Sequence, residues 1–195
     1  MTQRMDLPRT VVFALCGSFC SFDAVLPQVA RLTQRGWQVI PVLSYSAGTL
    51  DTRFGTAAGL RRTLEEMTGR CPLDTLQQVE PLGPKKMAAA MIVAPATGTT
   101  INMLAAGLSS TPVTLAAKSM LRGGLPVILA PSTNDGLTGS APGLAALLQR
   151  KHYYFVPFGQ DDSFKKPASL KSDFSLIPDT LECALNGVQI QPILL

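Results

Sequence analysis

Small and hydroxylated residues follow three apolar runs of this 195-residue chain. The runs at 11–16, 91–94 and 127–130 lead into Gly17-Ser18, into residues 95–100 (Pro-Ala-Thr-Gly-Thr-Thr) and into residues 131–136 (Pro-Ser-Thr-Asn-Asp-Gly). Where parallel strands end, backbone N–H groups and helix N-termini meet at one edge of the sheet and favour an anion. The three segments therefore predict a site for a phosphate-bearing small molecule.

The Gly17-Ser18 turn could hold a phosphate, because glycine admits a close backbone approach and Ser18 and Ser21 can donate hydrogen bonds. The local alternative is that Gly17 only makes the turn and Ser21 only caps the following helix. A full GxGxxG fingerprint is missing, and the second strand ends in Ser44 rather than in an acidic residue. A dinucleotide site uses both features, so a mononucleotide fits this pattern better.

The segment after the second run carries more hydroxyls than helix capping requires. One hydroxyl is enough for a cap, whereas Thr97, Thr99 and Thr100 stand together directly after Ala96. This surplus of donors favours a bound ligand over a purely structural role.

Two pairs of residues are candidates for work on a substrate. Asn134 could hold or polarise a carbonyl or carboxylate, and Asp135 could act as a base, although Asn-Asp-Gly also forms ordinary turns and Asp135 could simply cap a helix. Lys118 and Arg122 lie one helical turn apart and form either a carboxylate clamp or an exposed face.

Metal and nucleophile chemistry have weak support in the sequence. The single histidine, His152, stands at a strand entrance and reads as a surface residue, and no His/Cys/Asp cluster has metal-ligand spacing. The four cysteines form no CxxC pair. We expect free thiols in a reducing compartment.

Apolar strands alternate with helical patterns along the chain. We predict strands at 10–16, 38–43, 89–94, 126–130 and 153–156, a short strand near 76–79, and helices at 22–35, 56–68, 99–107, 112–122, 142–150 and 177–185. This alternation predicts an α/β protein with a three-layer, doubly wound, Rossmann-like (flavodoxin-like) fold and a mainly parallel sheet.

The composition, with 46% hydrophobic and 15% charged residues, indicates a well-filled core and a single domain over 1–195. Residues 158–176 are rich in Asp, Lys, Ser and Pro and are predicted to form a long surface loop. Residues 188–195 form an apolar tail, which we expect to pack on the body or on a neighbouring protomer.

The remaining patterns argue against membrane and nucleic-acid partners. No uncharged apolar run of membrane-spanning length occurs, and the polar start at 1–8 lacks the apolar stretch of a signal peptide. The net charge of +4 is spread over scattered Lys and Arg residues without interleaved aromatics. We therefore expect a cytoplasmic protein that acts on a small molecule.

The succession of these motifs resembles the flavoprotein family of FMN-dependent cysteine decarboxylases and flavin prenyltransferases. The resemblance rests on Gly17-Ser18, Ser44, the threonine-rich segment 95–100 and the segment 130–134. Within the family it is strongest, over residues 11–194, to members that form one component of a two-component enzyme making dipicolinic acid. Their most specific stretches are matched at residues 51–57, 83–86, 112–118, 132–136 and 154–162.

The resemblance implies a fold, a cofactor and partners. It implies FMN, with Gly17, Ser18 and Ser44 near the phosphate and ribityl chain, and with Thr97 and Thr100 supplied across a protomer boundary. It also implies a homo-oligomer, a trimer or a multiple of three, working with a dehydrogenase-like A subunit that carries NADP. The substrate would be a small cyclic dicarboxylate from the lysine pathway, in the mother cell of a sporulating bacterium.

The sequence also departs from the decarboxylase motifs. Pro-Ala-Met-Asn becomes Pro131-Ser132-Thr133-Asn134, the asparagine of Pro-Ala-Thr-x-Asn-Thr becomes Thr99, and the catalytic histidine has no match. These departures disfavour a stand-alone decarboxylase or prenyltransferase. They leave two hypotheses open, a catalytic component of the enzyme and a noncatalytic scaffold that keeps an ancestral flavin cleft.

Overall fold

The computed structural model describes residues 8–195. The prediction that the polar start at 1–8 is not a signal peptide therefore lies, apart from residue 8, outside the described residues. Five parallel strands have the order β2-β1-β3-β4-β5. They are β1 (Thr10–Leu15), β2 (Gln38–Leu43), β3 (Ala90–Ala96), β4 (Val127–Thr133) and β5 (Tyr153–Phe155). This is the flavodoxin-like order, in which the chain reverses its direction of growth between β1 and β3. The predicted fold class is confirmed.

Helices cover both faces of the sheet. They are α1 (Phe22–Gln34), α2 (Tyr45–Thr49), α3 (Ala57–Thr68), α4 (Leu76–Val79), α5 (Gly98–Ala105), α6 (Pro112–Arg122), α7 (Ala141–Leu148) and α8 (Ile177–Leu185). Apolar side chains of α1, α3 and α8 pack on one face, and those of α5, α6 and α7 pack on the other. None of the helices within residues 8–195 is both long and apolar enough to cross a membrane.

Burial on both faces explains why the central strands are almost wholly apolar. In β1, Val11, Phe13 and Leu15 face the layer of α1, α3 and α8, whereas Val12 and Ala14 face the opposite layer. A parallel strand with both faces covered needs apolar residues at every position. The apolar run therefore marks the length of the buried strand, and small and polar residues resume where its loop emerges at Gly17.

The short strand predicted near 76–79 is wrong, because these residues form helix α4. Thr75 and Gln78 make a capping box, in which each side chain accepts a hydrogen bond from the other residue's backbone N–H. This reciprocal pair stabilises a helical turn in a segment that is otherwise poor in periodic apolar residues.

The surface loop predicted at 158–176 is also wrong. Strands β6 (Phe158–Asp162) and β7 (Lys166–Ser172) form an antiparallel hairpin there, followed by a single 3-10 turn at Phe174–Leu176. The Asp162 side chain accepts hydrogen bonds from the N–H groups of Phe164 and Lys165 at 3.1 and 2.9 Å and shapes the turn. Strand β7 then pairs with the end of β4, where Ser132 lies opposite Lys171.

The apolar tail lies along the outer edge of β6. The N–H of Phe158 donates to the carbonyl of Ile193 at 3.0 Å, and the N–H of Leu195 donates to the carbonyl of Phe158 at 3.1 Å. Ile193 packs against the core, whereas the side chains of Leu194 and Leu195 are 66% and 64% exposed. The Gln189 side chain adds two hydrogen bonds to the backbone of Phe155, both at 2.7 Å, so the tail is held by its backbone and by this amide.

A proline interrupts the ladder between β3 and β4. Regular pairing ends at Val93 and Leu129, and the next pair, Ala96 with Pro131, is shifted in register. Met91 donates its N–H toward β4, so Pro95, four residues later, lies on the same side and lacks the N–H group that a central strand normally donates. Beyond Pro95 the ends of both strands leave the ladder and form the loops that carry the predicted site.

Candidate functional site

A cleft of about 570 Å³ opens at the carboxyl edge of the sheet, where the loops after β1, β2, β3 and β4 meet. The loops after β1 and β3 enclose it at the point where the strand order reverses, which is the usual ligand site of such folds. Its lining is rich in hydroxyls and also includes three aromatic side chains, Phe19, Tyr45 and Phe54. The predicted residues that line it are Gly17, Ser18, Ser44, Thr97, Thr99, Thr100, Asn134 and Asp135.

Three serine hydroxyls form a ring at one wall of the cleft. Ser132 Oγ lies 3.0 Å from Ser18 Oγ and 2.8 Å from Ser21 Oγ, and the latter two oxygens are 3.3 Å apart. Ser21 and Ser132 are buried, whereas Ser18 reaches the cleft surface. Ser21 therefore acts behind the lining rather than in it, and the ring fixes the position of the Ser18 hydroxyl.

The loops after β1 and β2 pack tightly against each other. A Cβ atom on Gly17 would lie 3.1 Å from Ser46 Cβ, so a residue with a side chain at 17 would push the two loops apart. Ser44 Oγ accepts a hydrogen bond from the N–H of Ala47 at 3.2 Å and caps helix α2. Ser44 thus both caps a helix and lines the cleft.

Helix α5 begins at the cleft, behind the threonine-rich loop. Thr97 Oγ1 accepts a hydrogen bond from the N–H of Thr100 at 3.4 Å, and the two hydroxyls lie 3.1 Å apart. The Thr100 hydroxyl also donates to Cys16 Sγ at 3.3 Å. Thr99 is exposed in the cleft, whereas Ala96 is buried beneath it and does not line it.

The Cys16 thiol at the floor of the cleft is protonated at neutral pH. Burial raises the pKa of Cys16 to about 11, although the hydrogen bond from Thr100 acts in the opposite direction. A thiolate is the nucleophilic form of cysteine. Cys16 therefore contributes packing and a weak polar surface rather than a nucleophile.

Asp135 is held by neighbours in the chain. The Thr133 hydroxyl donates to Asp135 Oδ1 at 2.5 Å and the Ser140 hydroxyl donates to the same oxygen at 2.8 Å. The hydrogen bond from Thr133, and then that from Ser140, hold the pKa of Asp135 below its usual range. A carboxylate that resists protonation is a weak base, and Ser140 rather than Asp135 stands at the N-cap of α7, so Asp135 is neither the predicted base nor the predicted cap but a residue that positions the loop.

We expect Asp135→Asn to lower the free energy of unfolding at pH 7 by about 1 kcal/mol, since Asp135 is an ionised acceptor but partly exposed. Its pKa is lower in the folded chain than in the unfolded chain. Its stabilisation is therefore complete above about pH 4 and is lost as the pH falls through the folded-state pKa. Urea denaturation should show a larger difference between the two proteins at pH 7 than at about pH 3. An equal difference at both values would contradict this role.

Asn134 is the exposed polar group beside Asp135. Its side chain makes no hydrogen bond to any residue of 8–195, and its backbone carbonyl accepts one from the Ser169 hydroxyl of β7 at 3.5 Å. The N–H of Leu137 donates to the carbonyl of Ala168 in the same strand at 3.0 Å. The hairpin thus supports the loop, and the amide of Asn134 remains available to a ligand.

Lys118 and Arg122 lie away from this cleft. Helix α6 begins beside the cleft at Thr111 and runs back along the sheet at ~1.5 Å per residue, so its later residues approach the opposite edge. Both side chains line a second cleft of about 520 Å³, together with Arg150, Lys151 and His152. The structure therefore does not bring the predicted carboxylate clamp to the predicted cofactor residues within this chain.

Several residues that line the cleft were not predicted as site residues, namely Tyr45, Phe54, Met103, Thr111 and Ser132. Ser132 and Phe54 lie in the stretches 132–136 and 51–57, which carry the family resemblance, so the resemblance could have predicted them as site residues. Within residues 8–195, no three His, Cys, Asp or Glu side chains gather as a metal site, and the four cysteines form no disulfide.

Comparison with known proteins places the fold and the cleft in a family. The family described as Flavoprotein matches residues 1–140 of this sequence. The chain belongs to the flavoprotein family. It is 41% identical over 186 residues to the B subunit of dipicolinate synthase from Bacillus subtilis (strain 168), a match that covers 95% of this chain and 93% of that protein.

Solved structures of the family extend this likeness. The crystal structure of the dipicolinate synthase B subunit from Bacillus halodurans has a TM-score of 0.88 and 37% identity, with 98% of each chain covered. The FMN-dependent cysteine decarboxylase SpaF shares the fold, with a TM-score of 0.68 and 22% identity over 91% of this chain and 98% of that chain. Burkholderia xenovorans DmrB, solved in complex with FMN, shares the fold with a TM-score of 0.63 and 18% identity over 75% of this chain and 87% of that chain.

Proposed function

We propose that this flavoprotein is the B subunit of a dipicolinate synthase, and that it binds FMN in the cleft at the carboxyl edge of its sheet. The observation that carries the proposal is its relation, over nearly the whole chain, to the B subunits of known dipicolinate synthases. The partner would be a dehydrogenase-like A subunit that binds NADP. This sequence lacks the dinucleotide-binding fingerprint, which supports placing NADP on the partner rather than on this chain.

The residues of the cleft fit FMN in size and chemistry. A volume of about 570 Å³ is in the range of cofactor pockets, and the cleft combines hydroxyl donors with aromatic side chains. Ser18, Ser44 and the backbone at Gly17 would hold the phosphate and ribityl chain, with Thr97, Thr99 and Thr100 on the facing loop. Bound there, FMN would supply a two-electron carrier between the substrate and the NADP of the partner, which is the final acceptor.

The reaction joins a dehydration and an oxidation. A hydroxy-tetrahydropyridine dicarboxylate loses water to give the dihydropyridine, which then loses two electrons and two protons to become the aromatic dicarboxylate. NADP on the dehydrogenase-like partner takes up two electrons and one proton as hydride, and the second proton goes to solvent. In this chain the Asn134 amide would orient a substrate carboxylate, and Asp135 would hold the Asn134 loop in place.

The position of the only histidine supports a role in a synthase over a stand-alone decarboxylase. The chain has a single histidine, His152, and it lines the second cleft with Lys118 and Arg122. No histidine lies among the residues that line the cofactor cleft. Decarboxylases of this family use a catalytic histidine, so decarboxylation is the weaker proposal.

Assembly and location complete the proposal. We propose a homo-oligomer, a trimer or a multiple of three, in the cytoplasm of the mother cell during sporulation. The adjacent tail residues Leu194 and Leu195, which are 66% and 64% exposed, support association with other copies. A structural neighbour at 20% identity, the Escherichia coli UbiX-like decarboxylase, is described as dodecameric.

The first test is the visible spectrum of the purified protein after FMN is added and the mixture is desalted. We expect retained flavin absorption, and we expect Ser18→Ala to weaken FMN binding at least about ten-fold, since a hydrogen bond to a charged group is worth roughly 1.5–3 kcal/mol. Ser110→Ala, an exposed serine outside the cleft, is the matched control. Colourless wild-type protein after desalting would contradict the flavin site.

A further inference from the structure

The cofactor cleft lacks a cation for a substrate with two carboxylates. Among the described residues that line it, the only charged side chain is that of Asp135, which is acidic. Proteins usually recognise a carboxylate with a guanidinium group, because its planar donors match the two oxygens. Such a group would have to come from the rim of the cleft.

Arg53 is an exposed residue that contacts the cleft lining through its neighbour Phe54. Its guanidinium carbon lies 4.8 Å from the centroid of the Phe54 ring, and Phe54 lines the cleft while 47% exposed. No carboxylate of residues 8–195 lies within ion-pair distance of Arg53. A cation held against an aromatic face without an anion partner is a suitable receptor for a ligand carboxylate.

The loop that carries Arg53 is fixed by its own hydrogen bonds. Thr52 and Gly55 exchange backbone hydrogen bonds at 2.9 and 3.1 Å, and the Thr52 hydroxyl accepts the N–H of Phe54 at 3.1 Å. Asp51 Oδ1 accepts the N–H of Ala57 at 2.9 Å and ties the loop to helix α3. Gly55 has φ +139°, which glycine tolerates far better than other residues. The side chain of Arg53 is thus presented from a defined backbone.

The other basic residues considered for this role are engaged or distant. Lys166 Nζ donates to Asp161 Oδ2 at 2.7 Å within the hairpin, and Lys171 Nζ, which follows the cleft edge opposite Ser132, lies 3.9 Å from Asp161 Oδ1. Lys118 and Arg122 line the second cleft. Of these basic residues, only Arg53 both contacts the cleft lining and has no carboxylate partner among residues 8–195.

We propose that Arg53 recognises one carboxylate of the dicarboxylate substrate, and that the Phe54 ring holds the guanidinium at the edge of the cleft. This proposal rests on the proposed function for its substrate class. It assigns to the rim loop at 51–56 the selection of a dicarboxylate over a monocarboxylate.

The test titrates the FMN-loaded chain with pyridine-2,6-dicarboxylate and with pyridine-2-carboxylate by calorimetry. The wild type should prefer the dicarboxylate, and Arg53→Gln should weaken its binding about ten-fold or more and abolish the preference. Arg53→Lys should recover only part of the affinity, because an ammonium keeps the charge but loses the paired donors. Arg62→Gln, an exposed arginine on α3 outside the cleft, should behave as wild type.

Two outcomes would overturn the proposal. One is wild-type affinity and preference in Arg53→Gln, and the other is no measurable binding of the dicarboxylate to the FMN-loaded wild type. Failure of the proposed function has a different signature, which is loss of FMN on desalting or no product when the dehydrogenase-like partner is supplied. FMN retention in Arg53→Gln should equal that of wild type, because the phosphate and ribityl contacts lie on other loops.

Discussion

Replacing Gly98 with alanine is expected to abolish FMN retention and to lower the free energy of unfolding by about 2–3 kcal/mol. A Cβ atom on Gly98 would lie 2.3 Å from Ser140 Oγ, 2.5 Å from Asp135 Oδ1 and 2.7 Å from Thr133 Oγ1. These three oxygens are already joined by hydrogen bonds, so none can move without breaking the network that holds the loop after β4. The start of helix α5 would move out of place as well.

Urea denaturation and the desalting spectrum measure the two parts of this effect. Gly123→Ala is the matched control, because a Cβ atom there would have contacts of 3.4 Å or more and the backbone φ is −84°. The control should keep flavin and change stability by no more than about 0.5 kcal/mol. A Gly98→Ala protein that retained flavin with similar stability would show that the loops after β3 and β4 move independently.

Asn134→Ala should reduce product formation about 100-fold when the dehydrogenase-like partner is supplied, while assembly of the two proteins remains intact. A hydrogen bond to a charged carboxylate is worth roughly 1.5–3 kcal/mol, which at its upper end corresponds to about a 100-fold effect. Asn134→Asp should be worse still, since it keeps the shape but places a negative charge opposite the substrate carboxylate. Neither change removes a side-chain hydrogen bond within residues 8–195, so folding should be preserved.

The Asn134 experiment also separates a catalytic component from a scaffold. Co-elution of the two proteins on size-exclusion chromatography measures assembly, and absorbance of the dicarboxylate product measures turnover. Gln149→Ala, an exposed amide outside the cleft lining, controls for loss of a surface amide. Full turnover in an assembled Asn134→Ala complex would remove Asn134 from the reaction and favour the scaffold.

The layers of the fold could be predicted because burial imposes a local pattern. The apolar runs that form β1, β3 and β4 alternate with helical segments, and this order alone selects the doubly wound class. The hairpin β6–β7 escaped prediction because it is rich in polar residues on both faces, including the buried Ser169 and Ser172, and its pairing partner, the end of β4, is more than 30 residues away in sequence. Tertiary pairing decides such strands, and their propensity does not.

The site was predicted where it depends on strand ends and missed where it depends on contacts between distant loops. The serine ring joins Ser132 to Ser18 and Ser21, which precede it by 114 and 111 positions, and no local spacing reveals such contacts. Lys118 and Arg122 were assigned to the substrate site although a helix that starts at the carboxyl edge must carry its last turns to the other edge. Their distance from the cleft follows from the direction of α6 rather than from residue type.

The proline of β3 has a consequence for the width of the cleft. Pro95 stands where one more rung of hydrogen bonds would otherwise join β3 to β4, and the pairing shifts there. One more regular rung would draw the ends of the two strands together and move the loops at 97 and 134 toward each other. The opening that admits a ligand therefore depends on a missing backbone hydrogen as well as on small lining residues such as Gly98.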